Sequence, residues 1–302
     1  MSFSSDVKAE LCKSNPVQKK CCAIAECYGI LLYCNTFSAR EVRIITGSDS
    51  FANRLPKIFK KAFGFGIEVR RSPREGAKQS FVITDGERIR IIFETYGYAP
   101  DATLQHHINL AMLEDECCRA SFVRGAFLAG GSIIDPKKRY HLELVTDHAS
   151  VSREAYSILL EMGFMPKDIT RSGHYVIYFK NSEAIEDFFT TIGAPLAAME
   201  IMQAKVEKNM RNAINRRVNC DSANADKVVN AAQEQLEAIR RLDKLLGLDN
   251  LPEKLQETAL LRIANPEASL ADLALLANPP VTKSCLSHRL RKLMEISVSA
   301  AL

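Results

Sequence analysis

The chain has no apolar run approaching the length of a bilayer span, so no membrane partner is expected. Its first residues, Met1-Ser2-Phe3-Ser4-Ser5-Asp6, have neither the basic start nor the apolar core of a signal peptide, which predicts a cytoplasmic protein. None of the 9 cysteines forms a Cys-x-x-Cys pair. An odd count with two adjacent pairs, Cys21-Cys22 and Cys117-Cys118, suits reduced thiols rather than a disulfide framework, and predicts no zinc. Both pairs fall at expected helix starts, where free cysteine usually packs as a small hydrophobe. Neither Gly64-Phe65-Gly66 nor Gly130-Gly131 is followed by the Lys-Ser/Thr that a phosphate loop requires. No cofactor and no bound metal are expected.

What remains is ordinary globular material: 302 residues, 47% hydrophobic and 25% charged, enough for two domains. The most informative pattern is a repeat, which must be sought before any fold is assigned. Cys21-Cys22 matches Cys117-Cys118 and Gly29 matches Gly125. Val42-Arg43-Ile44-Ile45-Thr46 parallels Leu142-Glu143-Leu144-Val145-Thr146. Each half reads helix, strand, helix, strand, strand. The first half places helices over 21–33 and 53–63, the latter closed by Gly64, and strands over 42–46, 67–71 and 80–84. The second places helices over 117–129, 151–162 and 182–191, with strands over 140–146, 167–170 and 175–179. Between the halves, His106 and His107 fall on an expected helix in a packing or surface role. The loop Arg70-Arg71-Ser72-Pro73-Arg74 is open to two readings, phosphate contact or solvation.

From Leu196 the strand signal ends. A basic helix is expected to about Val218, with Asn219-Cys220-Asp221-Ser222 breaking it and capping the next helix. That next helix carries Val229, Ala232, Leu236, Ile239 and Leu246 and ends at Gly247. The last fifty residues read as three short helices. Leu255, Ala259 and Ile263 share one face of the first. Ser269 and Asp272 form a capping box for the second, over 270–277. Pro279-Pro280 ends it, and Thr282 caps the third, with Val281 and Leu286 as a hydrophobic staple. Leu286, Leu290 and Leu293 would face inward; Ser284, Ser287, His288 and Arg291 would face out.

Net charge is only +4, but the charge is clustered. Residues 205–217 hold Lys205, Lys208, Arg211, Arg216 and Arg217 against Glu207, and residues 283–292 hold Lys283, Arg289, Arg291 and Lys292 against no acid. Three helices with a tight turn before a basic third helix describe a helix-turn-helix reader of double-stranded DNA. Candidate DNA-binding residues are Ser269, Thr282, Lys283, Ser284, Ser287, His288, Arg289, Arg291 and Lys292, with Lys208, Arg211, Arg216 and Arg217 as further phosphate contacts. A scaffold that binds only proteins stays open as an alternative.

The run Gly125-Ala-Phe-Leu-Ala-Gly-Gly-Ser132, the 140–146 strand, Arg216-Arg217-Val218-Asn219-Cys220, Leu251-Pro-Glu-Lys-Leu255, Pro-Pro-Val-Thr-Lys-Ser284 and Ser287-His-Arg-Leu-Arg-Lys-Leu293 together resemble the WhiA family, over nearly the whole chain. The resemblance implies an α+β fold: a duplicated, pseudo-two-fold LAGLIDADG-like domain followed by an all-α helix-turn-helix domain. The corresponding boundaries are 1–195 (repeats of about 1–95 and 96–195), a helical linker over 196–249, and 250–302. It implies a nucleoid-associated transcription regulator of cell division and chromosome segregation, or of sporulation in sporulating relatives, with a protein partner conceivable for the first domain. In a LAGLIDADG nuclease the paired helices end in acids that hold a catalytic divalent metal. Aligning the final Gly-Ser puts those positions on Cys34 and Gly130, neither of which supplies the hard oxygen ligand that Mg²⁺ takes. No catalysis is therefore expected. The rival reading is an endonuclease using displaced acids such as Asp49 or Asp135 in loop or strand-end segments. On the sheet surface that would face DNA, Arg43, Arg70 and Arg71 in the first half are set against Glu143, Asp168 and Thr170 in the second, which predicts a poor grip on phosphates.

Overall fold

The computed structural model describes residues 2–14, 19–70, 78–99 and 106–300. They divide into two compact units, Met1–Asn209 and Met210–Leu302.

The first unit is the duplicated α+β domain. Helix α1 (Phe3–Ser14) precedes the first repeat: α2 (Lys20–Leu32), β1 (Thr36–Phe37), β2 (Val42–Thr46), α3 (Asp49–Phe63), β3 (Val69–Arg70), β4 (Gln79–Ile83) and α4 (Gly86–Tyr96). The second repeat matches it with α5 (Glu116–Gly130), β5 (Gly131–Ile133), β6 (Leu142–Thr146), α6 (Ala149–Glu161), β7 (Lys167–Arg171), β8 (His174–Phe179) and α7 (Ser182–Ile192). Each repeat builds one antiparallel four-stranded sheet of the same topology, β1-β2-β4-β3 and β5-β6-β8-β7.

The duplication is held at its centre by α2 against α5. Ala25 through Leu32 are all buried, so α2 is covered on every side, as a central helix must be. The two helices touch through their backbones. A Cβ on Gly29 would lie 2.1 Å from the Phe122 carbonyl oxygen, and one on Gly125 would lie 2.0 Å from that of Glu26. Only glycine permits such an approach. Beside this contact lies Glu26, buried in the core. Its carboxylate accepts from Arg54 Nε at 2.6 Å and Nη2 at 2.8 Å, and from Arg124 Nη1 at 3.3 Å. Arg124 also donates to the Ile192 carbonyl at 2.6 Å, and Arg54 to that of Cys12 at 3.2 Å. One first-repeat carboxylate thus joins a cation from each repeat.

The second unit is all-helical. A 52-residue helix α8 (Pro195–Leu246) contains the boundary between the units and is followed by α9 (Glu253–Ala264), α10 (Leu270–Leu276) and α11 (Lys283–Ser299). Its core gathers Leu255, Ala259, Leu273, Leu286, Leu290 and Leu293 together with Ile239 and Leu242 of α8. The core of this unit therefore begins before residue 250.

Several expectations are corrected. The break at Asn219–Ser222 does not occur. Asn, Asp and Ser each lose only a few tenths of a kcal/mol to alanine in a helix, too little to stop one without Gly or Pro. Of the expected inward residues late on α8, Ala232 and Ile239 are buried, alongside Gln235, Ala238 and Leu242, whereas Val229 and Leu246 are exposed. His106 lies outside any helix: it is buried, stacked on Phe37 with centroids 5.0 Å apart, and burial lowers its pKa to about 4. Asp49 is the first residue of α3 and accepts from Gln79 at 2.6 Å. Of the four paired cysteines only Cys118 is buried; Cys21 and Cys117 reach solvent, and the sulfurs of both pairs meet. Residues 71–74 of the expected basic loop lie outside the described residues, as does the side chain of Arg70.

Removing Glu26 should be severe, because it would leave two guanidinium groups beside the helix pair without their carboxylate. Glu26→Ala is expected to lower the unfolding free energy by about 3–5 kcal/mol in urea denaturation followed by circular dichroism, with Glu26→Gln recovering part of it.

Candidate nucleic-acid interface

The reading helix is set by local chemistry at each end of the turn before it. Ser269 Oγ accepts from the Asp272 amide at 3.2 Å while the Asp272 carboxylate accepts from the Ser269 amide at 3.3 Å, closing the capping box that starts α10. Thr282 Oγ1 accepts from the Cys285 amide at 3.2 Å and starts α11. Both hydroxyls cap helices; Ser269 Oγ also donates to the Asp272 carboxylate at 2.7 Å. Val281 packs on the core beside Leu286, as a staple would.

Leu286, Leu290 and Leu293 are buried at 1% exposure or less, which fixes the opposite side of α11 toward solvent. That side carries Ser284, His288, Arg291 and Lys292, all exposed, with Ser287 half-buried at its edge and Lys283 exposed in the first turn. Arg289 departs from the stripe: it is half-buried and lines a groove with Glu253 and Glu257 of α9. The charge cluster thus divides, and the outward stripe is Lys283, Ser284, Ser287, His288, Arg291 and Lys292.

The first helix of the unit holds a residue that the sequence reading passed over. Leu255, Ala259 and Arg262 form its inward face, and Ile263, expected there, is 43% exposed. The buried Arg262 guanidinium donates to the Ala268 carbonyl at 2.7 Å and the Asn265 carbonyl at 3.4 Å, across the turn into α10. Burial lowers its pKa, with no carboxylate offsetting the effect. The spacing i, i+4, i+7 from Leu255 was the available signal; its charge hid it.

On α8 the basic cluster is partly consumed. Lys205 pairs with Glu183 at 2.8 Å, Lys208 lies over the Tyr140 ring at 5.1 Å, and Arg216 donates to the Asn212 carbonyl of its own helix at 3.3 Å. Arg211 and Arg217 are exposed and have no ion-pair partner among the described residues.

The sheets offer less. Side chains alternate faces along a strand, and the register Glu143↔Tyr178↔Lys167 puts Lys167 and Arg171, not Asp168 and Thr170, on the face of Glu143. Glu143 accepts from Arg171 at 3.1 Å and pairs with His141 at 2.6 Å; burial pushes its pKa up, but the hydrogen bonds from His141 and Arg171 outweigh that and hold it below the usual carboxylate range. In the first sheet Arg43 is held by Glu41 at 2.6 Å. The expected acidic half is therefore corrected: Glu143 is paired, Asp168 and Thr170 lie on the other face, and among the described side chains of the first sheet Arg43 is paired with Glu41.

Cys34 and Gly130, the positions the resemblance sets against a nuclease's acids, are closed. Cys34 donates its thiol to the Leu31 and Thr36 carbonyls at 3.1 and 3.2 Å, and burial raises its pKa to about 12. At Gly130 a Cβ would stand 2.5 Å from the Val145 carbonyl oxygen and 3.0 Å from the Tyr33 ring. Asp135 accepts from the Lys137 amide at 2.9 Å within its own turn.

This architecture defines a LAGLIDADG-like domain joined to a helix-turn-helix domain, the layout of a DNA-binding regulator. Family models agree: the WhiA LAGLIDADG-like domain matches residues 119–211 and the WhiA C-terminal HTH domain residues 214–297. Among curated relatives, a protein named probable cell division protein WhiA from Ruminiclostridium cellulolyticum is 38% identical, covering 98% of this chain and 97% of its own length. One of the same name from Clostridium botulinum is 35% identical over 98% of each. The crystal structure of full-length WhiA from Thermotoga maritima covers 99% of both chains with a TM-score of 0.59 at 25% identity. The chain belongs to the WhiA family.

Because Arg262 braces the turn that presents α10 and α11, Arg262→Ala should cost about 1.5–3 kcal/mol of stability through the lost charged hydrogen bonds. In a thermal melt monitored alongside DNA binding, affinity at a temperature where the variant is folded should stay near that of the parent protein.

Proposed function

We propose that this chain is a transcription regulator of cell division and chromosome segregation, located at the nucleoid, that reads double-stranded DNA through α11 and performs no catalysis on it. The observation that carries the reading is the outward stripe of α11. A helix N-terminus, two hydroxyls, an imidazole and three cations face one way, behind a capped turn and over a leucine floor. Arginine matches a guanine edge bidentately, whereas lysine, hydroxyls and the helix N-terminus suit phosphate oxygens. Arg291 is accordingly assigned to bases and Lys283 to the backbone, with Arg211 and Arg217 adding phosphate contacts.

The pairing of Arg43 with Glu41 and of Arg171 with Glu143 supports a division of labour. Non-specific affinity comes from neutralising phosphates, and cations already paired with Glu41 and Glu143 have little charge left for that. The first domain is proposed to engage a protein partner or to position the reader. Absence of catalysis is supported by Cys34 and Gly130, which offer a hard metal ion no oxygen ligand and, at Gly130, no space for one.

Two measurements test this. Arg291→Ala should weaken binding to a preferred site by about 1–3 kcal/mol and relax specificity there, while Lys283→Ala should weaken binding to all sequences and reduce the salt slope by about 1. Fluorescence anisotropy titrations over a salt series separate the two effects; unchanged binding in both folded variants would favour a protein-only scaffold.

Plasmid DNA incubated with the full chain and Mg²⁺ or Mn²⁺ should remain uncut. Cleavage abolished both by chelation and by an Asp49→Asn/Asp135→Asn double variant would restore the nuclease reading.

A further inference from the structure

The two adjacent cysteine pairs, ninety-six residues apart, form one cluster. The sulfurs of Cys21, Cys22, Cys117 and Cys118 all lie within 4.8 Å of one another. The repeat makes this happen. The offset that relates Gly29 to Gly125 also relates Cys21 to Cys117 and Cys22 to Cys118, so the α2–α5 axis carries both pairs to one end of the helix pair. A tetrahedral zinc site with Zn–S bonds of about 2.3 Å needs sulfurs about 3.8 Å apart. The sulfurs, all within 4.8 Å of one another, are within about 1 Å of that spacing. The two solvent-reaching thiols, Cys21 and Cys117, give an ion a way in, and the buried Cys118 gives the site a floor.

The surroundings favour charge on sulfur. The four cysteines occupy the first turns of α2 and α5, and neither helix has a side chain hydrogen-bonded to its N-terminal amides. First-turn amides are the positive end of a helix, and thiolates are stabilised there. Two such ends meet at one cluster. Side-chain charge is balanced, with Lys19 and Lys20 before one pair and Asp115 and Glu116 before the other, so the helix ends supply the local bias.

We propose that Cys21, Cys22, Cys117 and Cys118 bind a soft divalent cation of the zinc class as a tetrathiolate, clasping the two repeats at the N-terminal ends of their central helices. Binding turns each thiol into a thiolate ligand and releases its proton, up to four per ion, with no change of oxidation state. Affinity should therefore fall as pH falls. The proposal replaces the expectation of a zinc-free chain, which rested on ligand spacing within one stretch of sequence.

The test uses the full-length protein, reduced and free of oxygen, titrated with Co²⁺ and then Zn²⁺. The expected result is one equivalent of cobalt with thiolate charge-transfer absorption and the intense visible bands of tetrahedral coordination, displaced by one equivalent of zinc. A Cys21→Ser/Cys117→Ser variant, changed only at its two solvent-reaching positions and checked by circular dichroism, should lose that spectrum and the rise in melting temperature on zinc addition. Cys220→Ser, on α8, should keep both. Absence of the tetrahedral spectrum in the reduced parent protein overturns the proposal. So does metal loading that survives in the double variant, or a cluster that forms Cys22–Cys117 and Cys21–Cys118 disulfides but takes up no ion after reduction.

Discussion

The backbone contact between α2 and α5 is the constraint on which the first domain depends. Two residues without a Cβ let the helices meet at van der Waals distance, and everything else in that domain is hung from the resulting axis. The axis aligns the two sheets, brings Glu26 within reach of Arg54 and Arg124, and delivers both helix ends to equivalent places. Such a joint has little slack. Side chains can repack around a lost methylene, but a carbonyl oxygen already at the surface of a neighbouring helix cannot retreat without moving the helix.

Charge is distributed with a matching division. In the first domain the cations near the core and the sheets are mostly engaged: Arg54 and Arg124 with Glu26, Arg43 with Glu41, Arg171 with Glu143, Lys205 with Glu183. On α11 the outward cations form no ion pair among the described residues, although the exposed Glu295 stands one turn from Arg291 and Lys292. A chain of modest net charge can in this way present a locally strong field, because binding responds to charge that is unpaired and aligned rather than to the total.

How much of this was legible in the sequence follows from how local each feature is. The duplication, the C′ glycine at Gly64 (φ 85°), the capping box at Ser269 and the Thr282 cap depend on neighbours a few residues apart, and all stand where the pattern put them. What was missed depends on partners far away or on competing tendencies. Strand pairing decides which face Asp168 shares, and no period-two count within one strand contains that information. Arg262 was passed over because a charge suggests exposure, yet two backbone carbonyls supply its burial. The cysteine cluster was invisible to spacing rules because its halves belong to different repeats. The continuity of α8 through Asn219–Ser222 shows cap-forming residues overruled by the helix formers around them.

Gly130 has a consequence in the language of descent. In the genetic code glycine is one nucleotide from aspartate, so the codon could gain an acid in a single step. The fold does not allow that step alone. The Val145 carbonyl and the Tyr33 ring occupy the space the carboxylate would need, and β6 would have to shift before the acid could be accommodated. An acid at this position is therefore a single mutation away in the codon and several coordinated ones away in the protein.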